Sequence, residues 1–180
     1  MFLTEDAPLQ KLYVIITDTQ TFVNSLIQTV MGTIYNHVSF SLDLREFYTF
    51  ALDGFNGMWG GFKVETMSTF KKTARYVLFE MEISLEQFER IKKDIQILRK
   101  KSSLTYYDHL NLVNILLKKK IFGKSRQYQA ICSTFVRSTI KKHTGVDVLP
   151  QKPMYMTEPS DFMKSKKLKK ISEGFISELG

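Results

Sequence analysis

An α+β fold is predicted by three observations. Alternating and apolar strand-like runs gather in the first half of the chain, helical periodicity lies on both sides of them, and no fixed repeat or Gly/Ser/Pro-rich linker divides the sequence. The 180 residues therefore read as a single domain, 1–180.

Leu12 to Thr17 is a short apolar, β-branched run between polar residues, the pattern of a buried strand. Phe22, Leu26, Ile27 and Val30 then recur at helical spacing. From Tyr35 to Leu42 the period becomes two: Val38, Phe40 and Leu42 point one way, His37, Ser39 and Ser41 the other. A turn through Asp43 to Glu46 and a second strand, Phe47 to Leu52, complete an antiparallel hairpin. Gly54 to Gly61, around Trp59, reads as a loop, and Phe62 to Met67 as a further strand. Arg75 to Ile83 is a strand with Val77, Phe79, Met81 and Ile83 inward and Glu80 and Glu82 facing water. Ser84 and Gln87 form a capping box before a helix to about Arg99. Two further helices are predicted, Tyr107 to Lys119 and Tyr128 to His143, the last ended by Gly145. Three of the four prolines follow residue 149, where a less regular segment begins.

The net charge of +8 is uneven: two basic against six acidic side chains in residues 1–60 give −4, leaving +12 for the rest. Lys118 to Lys120, Lys141-Lys142 and the run from Lys164 to Lys170 carry much of it. No zinc finger or aromatic RNA-binding signature accompanies these lysines, so specific nucleic-acid reading is not expected, only weak binding of the basic C-terminal half to anionic surfaces. No apolar run approaches the ~20 residues of a membrane helix, and Met1 to Asp6 lack the features of a signal peptide, so a cytoplasmic location is expected. One cysteine excludes an internal disulfide, and the three histidines show no ligand spacing to it; no metal or other cofactor is expected.

Thiol chemistry, if present, falls to Cys132, in the first turns of the third predicted helix, where the dipole and free N–H groups acidify a thiol and can hold an oxyanion. The competing reading is a small buried hydrophobe among Ile131, Phe135 and Val136. His37, on the side of its strand away from Val38 and Phe40, is the candidate base; the competing reading is a histidine on a polar sheet surface. His143 closes a lysine-rich helix end and His109 reads as a polar helix residue. Trp59 and the stretch Met154 to Met156 line a substrate groove or cover core.

The strings Tyr35-Asn36-His37-Val38-Ser39-Phe40-Ser41-Leu42, Phe47-Tyr48-Thr49-Phe50, Gly60 to Glu65 and Cys132-Ser133-Thr134-Phe135-Val136 resemble the circularly permuted NlpC-like cysteine hydrolases of the papain superfamily, over roughly residues 12–163 including Pro159 to Phe162. The resemblance implies a papain-like fold, with a small antiparallel sheet packed against the cysteine-bearing helix. It makes Cys132 the nucleophile and His37 the base. Glu65 is the expected third residue, since an acidic side chain on a neighbouring strand would accept the second imidazole N–H, as in triads generally; Asp43 and Thr49 are its rivals. The implied activity is cleavage of an amide bond, of peptide or γ-glutamyl type, through a thioester on Cys132, with a peptide or acyl small molecule as substrate. Two alternatives stand beside it: a lipid acyltransferase or thioesterase on the same fold, and a non-catalytic module that binds an anionic partner.

Overall fold

The computed structural model describes residues 8–19, 32–52, 60–123 and 128–179. The predicted helix containing Phe22 to Val30, Trp59 and most of the predicted glycine-rich loop lie outside the described residues.

Six strands form one antiparallel sheet: β1 (Gln10–Thr17), β2 (His37–Ser41), β3 (Phe47–Leu52), β4 (Gly60–Glu65), β5 (Arg75–Ile83) and β8 (Lys169–Phe175), in the order β4-β3-β2-β1-β5-β8. Helix α1 (Leu85–Lys100) follows β5 directly, and Ser84 and Gln87 make the predicted reciprocal cap. Helix α2 (His109–Leu116) and helix α3 (Cys132–Thr144) are each preceded by a two-residue strand, β6 (Tyr106–Tyr107) and β7 (Gln129–Ala130), which pair in parallel as a separate small sheet. The two predicted helices thus begin two and four residues later than their apolar periodicity suggested. Gly60 and Gly61 belong to β4 rather than to a loop.

The central strands are buried on both faces. Val14, Phe40, Val77 and Phe79 join Ile91 and Ile95 of α1 and Phe135, Val136 and Ile140 of α3 in the larger core. On the opposite face Ile15, Phe47, Tyr76 and Leu78 pack with Phe70, Ala74 and Ile176. Glu80, expected in water, is buried and held by Lys11 (2.7 Å) and Lys169 (3.2 Å) on the two strands flanking β5. The segment after Pro150 is less regular through two 3-10 turns, then ends in β8, a strand its sequence did not announce.

Helix α3 packs on β2 and β3. Its position is set by Phe135, whose ring centroid lies 4.9 Å from Phe50, 5.7 Å from Phe40 and 6.0 Å from Phe62. Aromatic contacts at these spacings add directional preference to area burial, and they sit one turn from Cys132. Gly145, at φ 75°, ends the helix as predicted.

Candidate active site

Cys132 is the first residue of α3, and the preceding N-cap is Ile131, whose aliphatic side chain cannot accept from the first turn. A helix opened this way presents backbone N–H groups beside the thiol without a side-chain cap. The thiol is buried, 6% exposed, and is the chain's one cysteine.

His37 opens β2 opposite Thr17 of β1. The strand alternates as predicted, since Val38 and Phe40 enter the core with Phe135, but the other face is covered as well, and His37 is 6% exposed. The reading of a histidine on a polar surface is therefore corrected: the ring is buried. Thr17 Oγ1, Ser39 Oγ and Asn36 Nδ2, all within two ladder positions of the ring, are buried without a hydrogen-bond partner among the described residues.

His37 Nε2 donates to Glu65 Oε2 at 3.0 Å; a carboxylate only accepts, so the proton on Nε2 is assigned by its partner. Cys132 is the other side chain whose interaction with the ring favours its charged form. Burial disfavours a charged His37, yet the Glu65 carboxylate and the nearby Cys132 outweigh it and raise its pKa to about 10.

The contact to Glu65 depends on the shape of the sheet. Glu65 faces Phe47 across β3–β4, Phe47 faces Ser41 across β2–β3, and Ser41 is four residues beyond His37, so ladder parity puts Glu65 and His37 on one side. A flat sheet would leave roughly 16 Å between their Cα atoms. The 3.0 Å bond requires the sheet to coil along that diagonal. Strand β2 is free to follow, because its ladder with β3 extends only over Phe40 and Ser41; beyond them the Thr49 hydroxyl takes the place of a backbone donor and bonds the Val38 carbonyl at 2.9 Å. Thr49 is thereby a structural bridge, not the partner of His37. Asp43, the other rival, is exposed and caps its turn by accepting from Arg45 N and Glu46 N.

Sequence reasoning missed Tyr107. It pairs with Ala130, two residues before Cys132, and Asp108 N donates to Ala130 O at 3.0 Å, so β6 is tied to the entry of α3. Burial, with the charges of Cys132 and Asp108 nearby, holds the Tyr107 hydroxyl well above the usual phenol range, keeping it a donor. Gly61 secures the same strand: a Cβ there would stand 2.4 Å from Thr105 Oγ1, which accepts from Phe62 N. The signal was Asp108 itself, a helix N-cap placing Tyr107 outside the helix. His109 lies beside this group, its ring 5.4 Å from that of Tyr107. His143 is remote in role: it bonds Asp94 of α1 at 2.9 Å, joined there by Lys142.

No protein-family model matches the chain. No curated protein matches it. Three solved chains do. One is the crystal structure of metalloprotein YiiX from Escherichia coli O157:H7, a DUF1105 protein, at a TM-score of 0.54 and 12% identity, covering 92% of this chain and 98% of that one. At that identity the likeness is one of fold. Among the described residues no group of three or more His, Cys, Asp and Glu side chains is arranged to hold a metal.

Proposed function

We propose that the chain is a cysteine hydrolase on a permuted papain-like fold, cleaving an amide bond of peptide or γ-glutamyl type. The observation that carries this reading is His37, buried between a carboxylate and the chain's one thiol, with the three side chains drawn from β2, β4 and the first turn of α3. The likeness to YiiX over nearly the whole chain supports the fold. Among the described residues no donor set for the metal named for that protein is present, and His37 is paired with Glu65.

In this mechanism the Cys132 thiolate, paired with the His37 imidazolium, is the nucleophile. The thiolate attacks the carbonyl carbon, backbone N–H groups of the α3 first turn and the Tyr107 hydroxyl stabilise the oxyanion, and His37 gives its proton to the leaving amine. Water, deprotonated by His37, then hydrolyses the thioester. Glu65 fixes the ring and supports its charge.

Exposure to an activated ester such as p-nitrophenyl acetate is expected to leave one acyl group on Cys132, seen by intact mass and absent in Cys132→Ala. A protein that stays unmodified by activated esters and by a panel of amide substrates would overturn the reading. Glu65→Gln keeps volume and removes charge, so it should lower the alkaline limb of the acylation pH–rate profile, set by His37 near pH 10, by about one unit or more. An unmoved limb would separate Glu65 from the chemistry.

A further inference from the structure

The stretch from Leu104 to Ile121 carries an exposed face that the chemistry above leaves unused. Among the described residues Leu104, Tyr106, Leu110, Leu117 and Ile121 are five of twelve exposed large hydrophobic residues, gathered into a tenth of the chain. Leu110 and Leu117 stand seven residues apart on α2, on one face of the helix. Buried Asn114 folds the following chain back along that helix, its Oδ1 accepting from Ile121 N (2.8 Å) and Phe122 N (2.9 Å) and its Nδ2 donating to Phe122 O (3.2 Å). The turn so formed is Lys118, Lys119 and Lys120, all exposed, with Lys118 in the left-handed region at φ 49°. From Lys100 to Gly123 there are five lysines and one acid, Asp108, which is buried as the cap of α2.

We propose that this face docks on an anionic lipid bilayer, Leu110, Leu117 and Ile121 entering the acyl boundary while Lys118 to Lys120 meet the lipid phosphates. A segment that joins exposed aliphatic side chains to a lysine cluster, its own one carboxylate buried, is complementary to such an interface in both respects. Nucleic acid would answer the lysines but leave the leucines in water, since phosphate contacts give branched aliphatics nothing. A second copy would cover the leucines but bring two lysine triads together across a two-fold interface. The stretch adjoins the site through β6, where Tyr106 is exposed and Tyr107 is buried with Cys132 nearby. Docking would therefore hold the thiol close to the lipid surface, a consequence that rests on the hydrolase reading, whereas docking itself does not.

Cosedimentation of the full chain with vesicles of phosphatidylcholine, alone or with phosphatidylglycerol, tests this. Binding is expected on the phosphatidylglycerol vesicles, weakened but not abolished by added salt. The double variant Leu110→Ser/Leu117→Ser should bind at least tenfold more weakly with an unchanged unfolding midpoint, both side chains being exposed, and Lys118→Gln/Lys119→Gln/Lys120→Gln likewise. Either variant suffices should the other fail to fold. Absence of pelleting, full binding by the leucine variant, preference for nucleic acid over vesicles, or a dimer that the leucine substitutions dissolve would each overturn the proposal. None of these readouts uses turnover, so a failed hydrolase reading and a failed docking face are distinguishable.

Discussion

Alkylation of native Cys132 by iodoacetamide at pH 6.5 is expected to slow about tenfold or more when His37 is replaced by alanine. The effect follows from the charge beside the sulfur, because the thiolate is the species that attacks. In the native site His37 keeps its proton to about pH 10, held there by Glu65 and Cys132 against the cost of burial, so a cation faces the sulfur across the whole neutral range. Removing the ring removes that cation. Because Cys132 is the one cysteine in the chain, intact mass follows a single site, and the unfolded protein supplies the reference rate. The Glu65 carboxylate loses its partner in this variant, so the comparison is made below the variant's own unfolding temperature, and His37→Gln, which keeps a polar side chain, should show the same loss of rate. A native thiol that resists both iodoacetamide and a smaller reagent until the protein unfolds would return Cys132 to the role of a core hydrophobe.

Strands β1, β2 and β5 were legible because each carries an unbroken signal: an apolar run in Leu12–Thr17, strict alternation in His37–Ser41, and nine residues rich in β-branched and aromatic side chains in Arg75–Ile83. Helix α1 was legible from its cap. Strand β8 was not, because it lies at the sheet edge with most of Lys169–Phe175 exposed, and an edge strand needs no apolar face to pair with Arg75–Glu80 of β5. Alternation correctly separated His37 from Val38 and Phe40, but period two names a face without saying what covers it. Ile15, Phe47 and Tyr76 come from three other strands, and only their assembly buries the second side of the sheet.

The candidate site divides the same way. Cys132 and His37 could be singled out because each occupies a locally unusual place, a thiol at a helix start and an imidazole in an alternating strand. Glu65 came forward by resemblance and by chemistry, and its contact with His37 rests on the coil of the sheet, which no local pattern encodes. Tyr107 escaped notice because two residues of strand are too short to interrupt the helical spacing that runs on from Leu110 to Leu117.

Arg137 escaped notice too, although a charge set among Phe135, Val136 and Ile140 on an apolar helix is itself a signal. It is 2% exposed, and every nitrogen of its guanidinium is engaged: Nε and Nη2 donate to the two Asp147 oxygens (2.8 and 3.1 Å), Nη1 to Thr157 Oγ1 (2.7 Å), and Nη2 also to Leu149 O (2.6 Å). Ser133, next to Cys132, adds a bond from Oγ to Thr157 O. Through these groups α3, the helix that carries Cys132, is tied to the segment holding Asp147, Leu149 and Thr157. Arg137→Ala leaves a carboxylate, a hydroxyl and a carbonyl without their donor, and should cost about 3–5 kcal/mol of unfolding free energy at pH 7. The pH dependence identifies the partner. The Arg137 guanidinium foremost, with Lys141 and Leu149 N–H aiding it against burial, holds the Asp147 carboxyl well below the usual carboxylate range. A depressed folded pKa gives stability that is complete above the unfolded value near ~3.9 and is lost as pH falls toward the folded value. Urea unfolding at pH 7 and pH 3 should therefore show the gap between wild type and Arg137→Ala narrowing by up to about 1 kcal/mol at the lower pH. A gap of equal size at both would assign the stabilisation to Thr157 and Leu149, whose bonds to Arg137 do not titrate.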